Sequence, residues 1–475
     1  MSYIPQIICS QHDKNTAYVV FNHHRYGDFK PYLVKTTDGG KTWTLITNSL
    51  PERGSIYTIA EDHVDPNLLF VGTEFGLFAS TNGGKKWSQM KNNLPVIAIK
   101  DLEIQTREND LVLATFGRGY YILDDYSAMR SIEINTNKEA AIFPIKNSWI
   151  FNESNPLGGR NNGTQGDTYW TANNPPLGAV IKYQVKTVPV SLKDQRKKKE
   201  KALIEKNALT GYTSPDSMMA EDNELMGFHL ISILDDKKKV VRRYQVKPKV
   251  GLNEFVWNFT QANGYSINTK SNSGSNDGFP VLPGKYFAQL SYFNGSSVTE
   301  LTAPEVFEVK SLGLASMPVS DQKAMELFVS EIKEFALVVN GASDHVDYLN
   351  EKHQVLKAAV LSVSTAELAT LKTLREIEKQ LQKIKLDLNG NESLEKRQFE
   401  VLPGIKSRLN KVIFGLYGHS SDPTGSQKQN LAFTKKLFFE TYKSIKSVDS
   451  SLKEVQMSLG KTPYIQGYLP EWDGK

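Results

Sequence analysis

The chain has 475 residues, a single cysteine, and a formal net charge of +5 from 57 Lys and Arg against 52 Asp and Glu. This length exceeds one ordinary hydrophobic core and predicts roughly two to four domains, while the lone Cys9 excludes an internal disulfide without fixing the compartment. No run approaches the roughly 18 apolar residues of a membrane span. The excess charge gathers at 193–201 and 235–249, runs that read as solvated surface and lack the interleaved aromatics of a nucleic-acid-binding face.

Taken in chain order, residues 1–135 read as strands. AYVVFN, YLVKTT, TWTLI, IYTIAED, LLFVGT, GLFAST, DLVLATF and GYYILDD are short, rich in β-branched and aromatic residues, and bounded by Gly, Asn or Asp. A second β set occupies 136–312: GAVIKYQV, FHLISILDD, KVVRRYQV, NEFVWNF, GKYFAQLSYF and PEVFEVK. A charged helical insertion near 191–225 and a low-complexity stretch at 268–278 interrupt it. Alternation of Tyr286, Ala288 and Leu290 predicts one buried face. From 313 onward the hydrophobic period becomes helical, with Met325, Phe328, Ile332, Phe335 and Ala336 near one face. Three more amphipathic stretches follow, punctuated by Asn340-Gly341, Asn389-Gly390 and 420–425, and a helical bundle is their simplest packing. The last residues, with Trp472, are expected to dock on the body of the protein.

One phrase occurs twice. LVKTTDGGKTWTLI at 33–46 returns as LFASTNGGKKWSQM at 77–90. Recurrence at roughly 40–45 residues, with about four strands per unit, is the signature of a propeller blade. The phrase lies between the third and fourth strands of its unit and is therefore a hairpin corner. Gly40 and Gly84 supply positive φ. Asp38 and Asn82 can accept the turn's own N–H groups, and Thr36 and Ser80 can join them. Trp43 and Trp87 are expected to cover the corner and anchor it to the neighbouring sheet. A third unit, DLVLATFGRGYYILDD, aligns Thr115 with Thr73 but replaces the phrase by a hairpin at Asp124-Asp125-Tyr126, where capping is favoured over calcium.

The pattern Ser/Thr-x-Asp-x-Gly-x-Thr-Trp, complete at Thr36, Asp38, Gly40, Thr42 and Trp43 and degenerate at Ser80, Asn82, Gly84 and Trp87, resembles the Asp-box (BNR) repeat. Asp-box propellers include sialidases, xyloglucan-degrading enzymes, photosystem assembly factors and sortilin receptors. The wider string from DFKPYLVKTTDGGKTW to NDLVLATFGRGYYILDD resembles the C-terminal part of bacterial sortilin-like propeller proteins, often named glycosyl hydrolases, over about the first third of the chain. The region around Trp257 and VLPGKYFAQLSYF resembles an Ig-like sandwich of secreted bacterial proteins. The fold expectation is thus mainly β plus α: about three blades at 1–135, an Ig-like β-sandwich at 136–312 and a helical bundle at 313–475. Closed rings use at least four blades. The chain is therefore expected to be the C-terminal piece of a longer protein whose upstream blades complete the ring, or to complete it with another chain. A start inside a blade, with no basic segment leading into an apolar one, favours the first. The resemblance implies an extracytoplasmic location, whether periplasmic, secreted or at the cell surface.

Chemistry is sparsely signalled. There is no Gly-x-Ser-x-Gly, and the histidines form neither His-x-His nor His-Glu-x-x-His, so neither a metal nor a cofactor is expected. Glycoside hydrolysis needs two carboxylates across a cleft; Asp28, Glu61, Asp62, Asp65 and Glu74 are available but unpaired by sequence. Loops between second and third strands lie opposite the Asp-box corners and converge toward the ring axis. They carry His23, His24, Arg25 and Asp28, then Glu74 and Phe75, then Phe116 and Arg118. Such a mixture suits recognition of a polar ligand or peptide, while structural bonds between blades are the plainer use of His24, Arg25 and Arg118. The favoured function is non-catalytic binding of a protein, peptide or glycan. The alternative is a sialidase- or xyloglucanase-like glycoside hydrolase with its catalytic residues mainly in upstream blades, and an assembly scaffold is a third class.

Overall fold

A computed structural model describes residues 3–91, 93–135, 137–151, 174–262, 277–313, 319–362, 367–417 and 422–459. Most of the low-complexity stretch at 268–278 and the C-terminal segment with Trp472 lie outside the described residues. The chain is mixed β and α: several antiparallel sheets first, then a helical region.

The N-terminal part forms three consecutive sheets. The first runs β1 (Tyr3–Cys9), β2 (Ala17–Asn22), β3 (Tyr32–Thr36) and β4 (Thr44–Leu45); the second runs β5 (Ile56–Glu61), β6 (Leu69–Thr73), β7 (Gly76–Ser80) and β8 (Ser88–Met90). The third has three strands, β9 (Ile99–Gln105), β10 (Asp110–Thr115) and β11 (Tyr120–Leu123). Each is an antiparallel meander in chain order. Their registers repeat. The carbonyls of Asn15, Asn67 and Asn109 accept the N–H groups of Gly39, Gly83 and Tyr126 at 2.9, 2.8 and 2.9 Å. Counting from these asparagines, Val19, Val71 and Leu113 hold one position. The cross-strand rows through them are Ile7–Val19–Val34–Leu45, Ile59–Val71–Phe78–Gln89 and Leu102–Leu113–Tyr121.

Burial follows the order of the sheets. Strands β6 and β7 are buried at every position, because the first sheet covers one face of the second and the third covers the other. The apolar run LFVGT therefore shows no polar alternation, as expected of a strand buried on both faces. Gly72 sits where the second and third sheets approach: a Cβ there would lie 2.8 Å from the Ile99 carbonyl oxygen. After β11 the chain does not form the hairpin expected at Asp124-Asp125-Tyr126. It enters a 3-10 turn, Tyr126–Ser131, whose N-cap Asp125 (φ 41°) accepts the Ser127 N–H. Lys182 pairs with Asp125 at 2.9 Å, so this acid joins the third sheet to the next region instead of turning a fourth strand.

Following α1 (Ile132–Asn135), β12 (Ala140–Ile142) pairs with β14 (Ala179–Val185), which pairs with β17 (Gly251–Trp257). A second sheet places β13 (Ser148–Ile150) and β22 (Glu305–Ser311) beside β20 (Gly284–Phe293), then β15 (Phe228–Leu234) and β16 (Val240–Val246); β21 (Val298–Glu300) also pairs with β20, and β18 (Thr260–Ala262) with β19 (Asp277–Pro280). The two sheets share one core around the fully buried Trp257, whose ring meets Tyr286, Phe307 and Phe259. Tyr286, Ala288 and Leu290 all point into it. The charged insertion forms α2 (Leu192–Glu205) and α3 (Pro215–Asp222), with no buried residue in either.

The helical region comprises α4 (Gln322–Ser362), α5 (Thr370–Asn389), α6 (Glu392–Glu395), α7 (Ile405–Tyr417) and α8 (Gly425–Ser458). Helix α4 runs straight through Asn340-Gly341, where the sequence predicts a break. Val339, Ala342, Val346 and Leu349 are buried around that pair, and their burial outweighs the roughly 1 kcal/mol that glycine costs a helix. Gly390, at φ 85°, does end α5, and Thr424 opens α8 with a capping box to Gln427.

Candidate functional site

The two repeated phrases form the same corner. Thr36 Oγ1 donates to Asp38 Oδ1 at 2.8 Å and accepts the Gly40 N–H at 3.0 Å. Asp38 also accepts the Thr42 N–H at 2.9 Å and the Thr42 hydroxyl at 2.6 Å. The Thr42 hydroxyl and N–H, with the Thr36 hydroxyl, lower the Asp38 carboxyl to about 2. In the second corner Ser80 Oγ donates to Asn82 Oδ1 at 3.1 Å and accepts the Gly84 N–H at 2.9 Å, while Asn82 accepts the Lys86 N–H at 2.8 Å. Gly40 and Gly84 both have φ of 88°, a conformation that strains any residue with a Cβ.

The tryptophans differ. Trp87 is 4% exposed and its Nε1–H donates to the Ile46 carbonyl of the first sheet at 2.7 Å. Trp43 does not anchor to a neighbouring sheet as the sequence predicts. It is 44% exposed and donates to its own Gly40 carbonyl at 3.1 Å. The reason is positional: the first sheet's far face has no sheet against it among the described residues.

At the opposite strand ends, the loops at 23–31, 74–75 and 116–119 bring the candidate residues to one edge of the three sheets. The Gly54 N–H donates to the Phe29 carbonyl at 2.8 Å, and Phe75 packs on Gly54, its ring 3.0 Å from where a Cβ would sit. The Arg53 guanidinium lies over the Phe29 ring at 5.4 Å. Lys100 Nζ sits 3.4 Å from the Tyr57 ring centroid and 5.4 Å from that of Phe116, tying the third loop to the second sheet. Tyr26, Phe75, Phe116 and Tyr120 are exposed. His23 packs against Tyr26 and Tyr32. Asp28 is held by the Tyr32 hydroxyl at 2.7 Å and by the Lys30 N–H, which keep its carboxyl below the usual range.

Among the described residues, none of His24, Arg25 and Arg118 bridges two sheets by an ion pair. His24 bonds back to Asn22 within its own sheet, Arg25 stacks over Tyr3, and Arg118 is exposed. The structure adds Phe29, within the first loop, and Tyr57 and Lys100, which lie on β5 and β9 and which sequence reasoning missed because only the adjacency of the sheets brings them to the loops; Arg53 joins them from the segment between β4 and β5. Two buried polar atoms, Asn22 Nδ2 and Ser55 Oγ, have no hydrogen-bond partner among the described residues. Asn22 ends β2 and Ser55 precedes β5, so both lie at the loop ends of the first two sheets. An unpaired buried group costs about 1–3 kcal/mol, so these are places where an internal water would be stabilising.

The five carboxylates fare unequally. Glu61 accepts the Ser10 hydroxyl at 3.0 Å, the Gln11 N–H at 2.9 Å and the Tyr18 hydroxyl at 2.9 Å, and so ties the second sheet to the first. Burial and this carboxylate together push the Tyr18 phenol up. Asp62, fully buried, accepts Arg130 Nε and Nη2 at 2.8 Å each and the Tyr126 hydroxyl at 2.6 Å, tying the second sheet to the segment after the third. Burial opposes its ionisation, but Arg130, Tyr126 and the Asp65 N–H prevail and hold its carboxyl below the usual range. Asp65 accepts from Asn67. Four of the five therefore hold the fold, and only Glu74, on a loop, has a side chain free of hydrogen bonds among the described residues. No group of three or more His, Cys, Asp or Glu able to hold a metal occurs among the described residues.

No known protein family matches the chain, and no curated protein does. Among solved structures, the extracellular domain of a one-component system from B. thetaiotaomicron overlaps 65% of the chain at 10% identity and a TM-score of 0.20. A Niastella koreensis GH74 enzyme overlaps 64% at 10% identity and 0.23, and an ancestral GH74 enzyme 67% at 12% and 0.21. The chain spans 31, 46 and 47% of those three chains. Overlap at this level assigns neither fold nor activity. Among the described residues no helix is long and apolar enough to cross a membrane.

Proposed function

We propose that residues 1–135 are three blades of an Asp-box β-propeller, that 136–312 are an Ig-like sandwich and 313–475 a helical bundle, and that the chain acts outside the cytoplasm as a binding module. The ligand is an extended glycan laid across the loop ends of the three sheets. One observation carries this reading: consecutive sheets each contribute a loop aromatic, Phe29, Phe75 and Phe116, two of them exposed, with cations parked over Phe29 and Phe116. The C–H faces of sugar rings stack on such rings, while the exposed Arg53 and Lys100 supply donors for hydroxyl oxygens. The test is titration of the whole chain with soluble β-glucan oligosaccharides, sialosides and unstructured peptides. Saturable binding of a neutral glycan, lost in Phe75→Ala/Phe116→Ala, supports the reading; binding of peptides alone contradicts it.

A glycoside hydrolase is the second reading, favoured by Glu74, the one of the five candidate carboxylates left unbonded among the described residues. Hydrolysis would need a second carboxylate from outside this chain. Turnover by the chain itself, abolished by Glu74→Gln, would replace the binding reading.

A further inference from the structure

The charged insertion of the sandwich is an arm. Ser191 caps α2 by accepting the Asp194 N–H at 3.0 Å, and Ser214 caps α3 by accepting that of Ser217 at 3.2 Å. Arg196 joins the two helices, its Nε and Nη2 donating to Glu221 at 2.6 and 2.9 Å. The Glu224 carboxylate accepts the Leu192 N–H at 2.8 Å. Residues 192 and 196 thus meet 224 and 221, so the helices run antiparallel. These bonds and the links to β14 and β15 lie at one end of the arm, and the connecting loop, 206–214, forms the other.

Neither helix buries a residue, yet the distal end is apolar. Leu203 and Ile204 stand in the last turn of α2, Met218 and Met219 in the first half of α3, and Leu209 and Tyr212 on the loop between them. All six are exposed, Ile204 and Met219 at 63% each, Leu209 at 97%, and Tyr212 completely. Large apolar side chains gathered at one exposed end mark a docking site. They cap a convex tip, which fits a surface that yields around it.

The charges around the tip say which surface. Arg196 takes up Glu200 and Glu221. Of the rest, Lys198, Lys199, Lys201 and Lys206 have no ion-pair partner among the described residues, and neither do Glu205 and Asp216. Four cations against two anions leave a positive surplus just behind the apolar tip. Lysine stems are long enough to hold their ammonium groups among lipid phosphates while apolar neighbours go deeper. Tyr212 has the amphipathic ring that favours the same headgroup layer.

We propose that the arm at 191–225 is a peripheral membrane contact, its tip entering the interface of a bilayer that contains anionic phospholipid. The body of the protein stays outside the bilayer. The contact belongs to the sandwich and does not depend on the glycan proposed at the loop ends of the first three sheets.

The test uses the full chain and two sets of vesicles, one of phosphatidylcholine and one of equal parts phosphatidylcholine and phosphatidylglycerol. In co-sedimentation the wild-type chain should bind both, the anionic vesicles more tightly. Leu209→Asp/Tyr212→Asp should lower partition onto both by about tenfold or more, as loss of apolar burial requires. Lys201→Gln/Lys206→Gln should weaken binding to the anionic vesicles alone, and added salt should do the same. A polarity-sensitive dye on Leu209→Cys, in a Cys9→Ser background, should shift to the blue on vesicles. The same dye on the exposed Cys9 of the wild-type chain should not. Because the arm's helices bury no residue, these variants should keep the wild-type circular dichroism spectrum. A wild-type chain left in the supernatant with both vesicle types overturns the proposal. So does vesicle binding that Leu209→Asp/Tyr212→Asp leaves unchanged. Self-association without lipid that this variant abolishes, with no binding to vesicles, would make a second copy the occupant and overturns it as well.

Discussion

Asp62→Ala should loosen the three-sheet region more than any loop substitution. The carboxylate is fully buried and accepts the Arg130 guanidinium twice at 2.8 Å, the Tyr126 hydroxyl at 2.6 Å and the Asp65 N–H at 2.7 Å. Removing one partner of a buried ion pair costs about 3–5 kcal/mol, because the other charge is left stranded. The Arg130 side chain is 19% exposed, so its stranded charge is partly hydrated; the lower end, about 3 kcal/mol, applies. At about 1.4 kcal/mol per factor of ten, the local opening equilibrium rises by about two orders of magnitude. Hydrogen exchange read on peptides from 56–73 and 109–135 isolates this opening from the rest of a multidomain chain. Peptides from α5 and α8 should be unaffected. Asp62→Ala/Arg130→Met should recover much of the loss, because an apolar pair replaces a broken ionic one. Unchanged exchange in Asp62→Ala, or a double variant worse than the single, would refute the clamp.

Trp87→Phe should destabilise the first two sheets by about 1 kcal/mol, since it removes the hydrogen bond to the half-buried Ile46 carbonyl, whereas Trp43→Phe should be near neutral by urea denaturation. Both Asp62 and Asp38 have folded-state carboxyls held below the ordinary aspartate value of 3.8. Their stabilisation is therefore complete above that value and is lost as pH falls through the folded-state one, for Asp38 between about 3.8 and about 2. Asp62→Asn should flatten the acid limb of a stability-versus-pH profile. Gly84→Ala should be more damaging than Gly40→Ala, because the added Cβ would meet Ile46 at 2.8 Å, whereas at Gly40 it meets only the half-exposed Trp43, at 3.8 Å; thermal melts compare the two.

Much of this architecture is written in local signals. The corners at Asp38 and Asn82 are legible because each is a self-contained network of hydroxyl, amide and glycine within eight residues. The strand Phe228–Leu234 and the helix α5 announce themselves by length and period. What was illegible depends on neighbours. YIPQIIC and IKDLEIQ do not alternate cleanly, and they become β1 and β9 only by pairing with β2 and β10. The Asn340-Gly341 break is overridden by packing on both sides. Glu61 and Asp62 looked like chemistry, yet their partners Tyr18 and Arg130 lie 43 and 68 residues away, a distance no local pattern spans. Of the loop site, the sequence supplied the aromatics Phe75 and Phe116, while the placement of Arg53 over Phe29 and of Lys100 beside Phe116 emerged only when adjacent strands met.

The central claim, a glycan lying across the loop ends, is tested most directly by a ligand footprint. Hydrogen exchange of the whole chain with and without saturating β-glucan oligosaccharide should show protection at 22–31, 52–57, 72–77 and 114–120, and none at the corners 36–43 and 80–87. Protection confined to the corners, or to the Trp257 region, would place the ligand elsewhere and contradict the account.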